Sequence, residues 1–172
     1  KVASIGTIGI RSKGKKKTLT NTTLDPIQLS FILRDLRKKK IEYVIMEASS
    51  HGLKQNRLDG LLFDTGIFSN LSHDHLDYHK NMENYLKSKL YLFNQLIKKK
   101  GNIITDANIP QIKKITNISL KRKINLNLIH NKKRGIELIS HQFVNGKQVL
   151  EIKFNNRKYN IELDLIGKIQ IK

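Results

Sequence analysis

Between Met46 and Phe93 the sequence gathers Glu47, Ser49, Ser50, His51, Gln55, Arg57, His73, Asp74, His75, Asp77, His79 and Lys89, and polar chemistry of this density occurs almost nowhere else in its 172 residues. The chain has no cysteine, so disulfides and thiolate metal sites are excluded, and any cation must be held by oxygen or imidazole. His73-Asp74-His75-Leu76-Asp77-Tyr78-His79 is the densest run of such donors. A dinuclear zinc hydrolase would use His-x-His-x-Asp-His, whereas here the last imidazole comes one residue late and falls out of register. A solvated histidine loop with a capping aspartate is the plain alternative to a metal cluster.

Lys89 is the most informative single side chain. At 3.6 residues per turn, Met82, Leu86 and Phe93 define an apolar stripe that includes Lys89 and leaves Lys87 pointing away. Burial there disfavours the ammonium form, and a neutral amine can take up CO2 to become a carbamate. A lysine that snorkels from the edge of the stripe is the competing reading. Arg57 could make a two-pronged contact to an anionic substrate or sit at the surface beside Asp59. Asn21, Thr22 and Thr23 precede the Asp25-Pro26 helix start, where they could meet a phosphate or carboxylate, or simply cap the helix.

The elements that must position these groups are legible as apolar runs. Ile41–Met46 reads as a buried parallel strand ending in Glu47-Ala-Ser-Ser-His-Gly52, and Phe63–Asn70 repeats the design, so two strand ends are expected to share one site at their carboxyl edge. Val2–Thr7 reads as an interior strand. A helix opens at Asp25-Pro26 with Ile27, Leu29, Ile32, Leu33 and Leu36 on its apolar side, Met82–Ile97 is a second helix, and Gly101–Asp106 is a short strand. The lysine runs Lys15–Lys17, Lys38–Lys40 and Lys98–Lys100 are placed at element ends. From Ile124 onward apolar residues alternate (Ile124, Leu126, Leu128; Leu150, Ile152, Phe154; Tyr159, Ile161, Leu163, Leu165), with turns expected at Asn145-Gly146 and Asn155-Asn156. The expected fold is α/β: a mostly parallel sheet flanked by helices over residues 1–120, followed by an antiparallel meander over 121–172.

Gly9-Ile-Arg-Ser-Lys-Gly14-Lys15 imitates a phosphate-binding loop by spacing. Lys16 stands where the Mg2+-binding hydroxyl belongs, and no apolar helix follows, so it is rejected as an ATP site. The formal net charge of +19 raises the possibility of a basic nucleic-acid-binding module, but aromatics are 6% of residues and no base-stacking motif appears. A solvated lysine-rich surface is the simpler reading. No stretch approaches the roughly 20 apolar residues of a membrane span, and a cytoplasmic protein is expected.

Met46-Glu-Ala-Ser-Ser-His-Gly-Leu-Lys-Gln-Asn-Arg57, Phe68-Ser-Asn-Leu-Ser-His-Asp-His-Leu-Asp-Tyr-His79 and Met82-Glu-Asn-Tyr-Leu-Lys-Ser-Lys89 resemble the central domain of the Mur ligases. Within that family they are most similar to the members that add the third amino acid to UDP-N-acetylmuramoyl-L-alanyl-D-glutamate. Ile5-Gly-Thr-Ile-Gly9, Asn21-Thr-Thr-Leu-Asp-Pro26 and, more weakly, Asp164-Leu-Ile-Gly167 extend the resemblance along the chain. The resemblance implies ATP-dependent amide-bond formation through an acyl phosphate, with Glu47, His75 and a carbamylated Lys89 as catalytic groups holding Mg2+. It implies that Asn21, Thr22, Thr23, Ser49, Gln55 and Arg57 contact the UDP-N-acetylmuramoyl-dipeptide, with ATP and an amino acid as the other substrates. It also implies that residues 1–172 are part of a central domain, preceded in the family by a Gly-rich nucleotide loop and followed by a further domain. Such a piece is expected to be inactive alone and monomeric, with the amino acid added not readable from it. Another Mur or folylpolyglutamate-type ligase is the alternative within enzymes.

Overall fold

The computed structural model describes residues 1–129, 136–154 and 156–164. They form two compact units, one built from Lys1–Phe63 with Leu71–Leu96, the other from Asp64–Asn70 with the chain from Ile97 onward.

In the first unit β1 (Val2–Gly6), β2 (Gly9–Ser12), β3 (Lys15–Lys17) and β4 (Tyr43–Met46) make a sheet of order β3-β2-β1-β4, in which β1 and β4 run parallel. The loop-like run from Gly9 to Lys15 is the β2–β3 hairpin, so its rejection as a phosphate loop stands on geometry. Ser12 pairs with Lys15 across Lys13 (φ 47°) and Gly14 (φ 75°), the two left-handed residues that a two-residue hairpin requires. Lys15–Lys17 are therefore a strand rather than an element end; all three are exposed, and no apolar pattern signals them. Helix α1 (Pro26–Lys38) is capped by Asp25, whose carboxylate accepts from the Ile27 and Gln28 amides, with Pro26 in the first turn and Arg37 and Lys38 in the last. It buries Leu29 and Leu36 against Ala3, Ile5, Leu24, Leu53 and Leu58, while Ile27, assigned to its apolar side, is exposed.

Two expectations for the strands change. β4 is parallel as expected but not buried: among the described residues it pairs only with β1, and Tyr43, Val44 and Ile45 are exposed. β5 (Phe63–Phe68) pairs in a different sheet, of order β5-β6-β7, so the two strand ends do not lie side by side in one sheet; the residues after it, 71–79, belong to the unit that contains β4. The rest of the first unit is α2 (Ser50–Lys54), the single-turn α3 (Leu76–His79) and α4 (Met82–Tyr91). The long helix expected to Ile97 stops at Tyr91, passes through a π turn at Leu92–Leu96 that buries Phe93 and Leu96, and gives way to a strand.

That strand, β6 (Ile97–Asp106), begins before Gly101 and carries Lys98–Lys100 within it, all three exposed, with Lys98 paired to Asp64 at 2.8 Å. Helix α5 (Ile112–Arg122), which no earlier pattern marked, connects β6 to β7 (Asn125–Ile129), and β7 pairs parallel with β6. The alternation at Ile124, Leu126 and Leu128 thus belongs to a parallel pair and not to the antiparallel meander, because period two is common to both kinds of sheet and the intervening helix makes a parallel crossover. The antiparallel sheet consists of β8 (Glu137–Val144), β9 (Lys147–Phe154) and β10 (Arg157–Leu163). Its first hairpin turns at Asn145 (φ 51°) and Gly146 (φ 78°), as expected. Asn155, Leu165 and the Leu165–Gly167 part of the weaker motif lie outside the described residues.

Candidate active site

Glu47 leaves the end of β4 with its backbone amide donating to the Ile5 carbonyl at 2.9 Å, which extends the β1–β4 pairing by one step. Its Oε2 accepts from both the Thr7 amide (2.9 Å) and the Thr7 hydroxyl (2.7 Å), and the Thr7 hydroxyl also meets Thr22 at 3.0 Å. The carboxylate is held over Gly6 so closely that a Cβ there would lie 2.4 Å from Glu47 Cδ. Both bonds fall on Oε2, and Glu47 as a residue is exposed. Thr23, 2% exposed, ties the neighbouring segments: its hydroxyl donates to the Glu47 carbonyl (3.1 Å) and accepts from the Ser49 amide (2.9 Å). Arg57 Nη1 donates to the Thr23 carbonyl at 2.8 Å, so the guanidinium is partly engaged in holding the loop. Ser49 caps α2 by accepting from the Gly52 amide at 3.1 Å, and Asn21 stays exposed at the loop's start.

The second group lies around α3 and α4. His75 has left-handed backbone (φ 53°, ψ 28°) and precedes α3, its ring exposed and 4.9 Å from that of His51. Gln55 Nε2 donates to the Tyr78 hydroxyl at 2.9 Å, and the Tyr78 ring meets His51 at 4.1 Å. Lys89 is half-buried, as its place on the stripe implies, while Lys87 is exposed. Its Nζ stands 5.2 Å from the centre of the Tyr85 ring, one helical turn earlier, and the same ring meets His75 edge-on at 6.1 Å. Loss of water holds Lys89 below the ordinary lysine value, with the Asp74 carboxylate opposing the shift. Burial likewise lowers His51, assisted by the charge of His75.

The expected site residues therefore all fall in one unit, in two groups joined by α2: Glu47 with Thr22, Thr23, Ser49 and Arg57, and His75 with Lys89 and, through Tyr78 and His51, Gln55. Thr7, Tyr78 and Tyr85 were not anticipated. Thr7 could have been found as the residue that follows the strand neighbouring Glu47, and Tyr85 as the residue four before Lys89. Among the described residues no three His, Asp or Glu side chains converge on one point. Glu47 and His75 supply oxygen and imidazole, donor types compatible with a Mg2+ ion that takes few protein ligands and completes its shell with substrate oxygens and water.

A parallel strand that delivers a carboxylate and hydroxyl side chains at its carboxyl end is the ligand-binding arrangement of an α/β domain. Comparison narrows the class, since the Mur ligase middle domain model matches residues 1–172. The chain belongs to the Mur ligase middle-domain family. It is 37% identical over 171 residues to the UDP-N-acetylmuramoyl-L-alanyl-D-glutamate--2,6-diaminopimelate ligase of Zymomonas mobilis, covering 99% of this chain and 35% of that protein. A protein of the same description from Mesorhizobium japonicum is 36% identical, over 98% of this chain and 35% of its own length. A solved ligase of that description superimposes with a TM-score of 0.84 at 25% identity, over 99% of this chain and 35% of that one. A folylpolyglutamate-synthase variant of L. casei shares the fold at TM-score 0.67 and 11% identity, over 98% of this chain and 48% of that one. The chain thus spans about a third of the length of the curated relatives it matches.

Proposed function

We propose that this chain is the central segment of an ATP-dependent ligase that adds the third amino acid to UDP-N-acetylmuramoyl-L-alanyl-D-glutamate. The observation that carries the reading is Lys89, half-buried with its amine over the Tyr85 ring that His75 also meets. The names of the similar proteins support it and point to 2,6-diaminopimelate as the incoming amine. In the reaction a carboxylate oxygen of the dipeptide takes the γ-phosphoryl group of ATP, giving an acyl phosphate and ADP. The amine nitrogen then attacks the acyl carbon, a C–N bond forms, inorganic phosphate leaves, and the amine gives up a proton.

Glu47, His75 and Lys89 as its carbamate would hold Mg2+, which when bound neutralises charge on the transferring phosphoryl group. The chain's own residues do the positioning. Thr7 locks one oxygen of Glu47 and so aims the other, Thr23 pins the Glu47–Ser49 backbone, and Arg57 with the Asn21–Thr23 loop faces the anionic nucleotide sugar. Reaction of the Lys89 amine with CO2 requires the unprotonated form, which its partial desolvation favours. Both nucleotide substrates are compatible with a monomer working in the cytoplasm; among the described residues no helix is long and apolar enough to cross a membrane.

The test uses the full-length protein that carries this segment. ADP release should require UDP-N-acetylmuramoyl-L-alanyl-D-glutamate and an amino acid, with diaminopimelate compared against lysine. Lys89→Ala should lower turnover by about 100-fold or more, as loss of an electrostatic stabiliser does, whereas Lys87→Ala should leave it essentially unchanged. Formate or acetate should restore part of the Lys89→Ala activity by supplying the missing carbamate oxygens. Equal behaviour of the two variants, or ADP release indifferent to the nucleotide sugar, would overturn the reading.

A further inference from the structure

We propose that His79 is a positioning residue: its buried imidazole ties the single-turn α3 to α2 through Ser50 and to α4 through Ser88, and so sets His75 relative to Lys89. The inference rests on the ligase reading only for the consequence in turnover; the anchor itself is geometric. His79 is 0% exposed, its ring stacked on Tyr85 at 5.0 Å and 17°. Its Nε2 lies 2.9 Å from Ser50 Oγ, and its Nδ1 lies 3.4 Å from Ser88 Oγ.

Proton accounting assigns the tautomer. Ser88 Oγ spends its one hydrogen on the Asn84 carbonyl at 2.9 Å, so towards His79 it can only accept. Nδ1 therefore carries the ring proton and donates to Ser88, and Nε2 accepts from the Ser50 hydroxyl. Burial, then the neighbouring charges of His51, Lys54 and His75, favour the neutral ring, with Asp77 opposing.

The segment needs such an anchor. Four residues of helix have no stability of their own, and α3 is flanked by His75 (φ 53°) and Lys80 (φ 70°, ψ −37°), left-handed conformations that are strained for a residue with a side chain. His79 closes the turn on His75 by donating its amide to the His75 carbonyl at 3.0 Å. On the other side it bonds to Ser88, the residue adjoining Lys89, and stacks on Tyr85, over which the Lys89 amine stands. One buried ring thus joins the backbone that carries the imidazole to the helix that carries the lysine.

His79→Phe keeps the ring and its stack on Tyr85 and deletes both side-chain hydrogen bonds; Ser88→Ala deletes the α4 link, together with the Ser88 bond to the Asn84 carbonyl inside α4, and preserves the fold if the larger change does not. In the full-length protein both variants should lower kcat, by about 10–100-fold for His79→Phe as for other outer-shell partners of a metal site, and raise the Mg2+ concentration for half-maximal rate about ten-fold, with KM for the nucleotide sugar unchanged. In this chain, 15N NMR should find His79 protonated at Nδ1 and bare at Nε2. An Nε2–H tautomer overturns the anchor, and unchanged kcat and Mg2+ requirement in Ser88→Ala and His79→Phe overturn its role. Absence of any nucleotide-sugar-dependent turnover by the unmodified protein would instead remove the ligase reading, and the tautomer measurement would still decide the anchor.

Discussion

Gly52→Ala should destabilise the first unit even though it places a better helix former inside α2. A Cβ at Gly52 would stand 2.6 Å from Thr23 Cγ2, 2.7 Å from Thr23 Cβ and 3.0 Å from Thr23 Oγ1. Rotation about χ1 can move the methyl and hydroxyl but not Cβ, so relief requires the backbone at Thr23 to shift. That backbone is held by the Arg57 guanidinium on its carbonyl and by the Thr23 hydroxyl bonds to Glu47 and Ser49. Overpacking of this kind costs about 1–3 kcal/mol, and each buried hydrogen bond lost adds about 1 kcal/mol. The gain in helix propensity returns about 1 kcal/mol. With one such hydrogen bond lost, the net expectation is a loss of about 1–3 kcal/mol. Four of the five tyrosines (Tyr43, Tyr78, Tyr85 and Tyr91) lie in the first unit and the chain has no tryptophan, so tyrosine fluorescence in a urea titration reports on that unit. A variant as stable as the parent, or more stable, would show that Thr23 yields freely and that the Thr23–Glu47–Ser49 lattice is not rigid.

Gly6→Ala meets the movable end of a side chain instead, since the clash is with the Glu47 carboxylate. It should cost little stability while breaking the Thr7–Glu47 bonds, seen as loss of protection of the Thr7 amide from hydrogen exchange; retained protection would refute the contact. Lys89→Met tests the lowered lysine pKa through linkage. The fold binds that proton less readily than the unfolded chain, so native Lys89 carries a penalty that is full below its folded pKa and vanishes as pH rises past the unfolded value of 10.5. The stability of Lys89→Met relative to the parent should therefore be greatest near neutral pH and diminish towards pH 10.5, and a pH-independent difference would count against the desolvation. His79 has the same sign in acid. Because its folded value is lowered by burial and by His51, Lys54 and His75, against Asp77, stability should fall as pH drops below its unfolded value of 6.5. Urea titrations from pH 7.5 to pH 5 should show a flatter profile for His79→Phe; an unaltered slope would mean that other groups set the acid limb.

What the sequence determined by itself was chemistry and local form. The stripe through Met82, Leu86 and Phe93 was enough to separate Lys89 from Lys87, because side-chain direction on a helix follows from period alone. Asp25-Pro26 and Asn145-Gly146 fixed a cap and a turn for equally local reasons, one hydrogen-bonding geometry and one left-handed backbone requirement. Strand partnership was a different matter. An apolar run such as Ile41–Met46 is compatible with a buried or an edge strand, and alternation at 124–128 with parallel or antiparallel pairing, since both follow from which other segments come to lie alongside. The histidines show the same division. His73, His75 and His79 are equivalent as letters at two- and four-residue spacing, yet the first two are exposed and His79 is sealed between Ser50, Ser88 and Tyr85. Only tertiary packing could decide that, because a donor becomes a ligand or an anchor according to the water it loses and the partners that replace it, and those partners lie 29 residues before it and nine after.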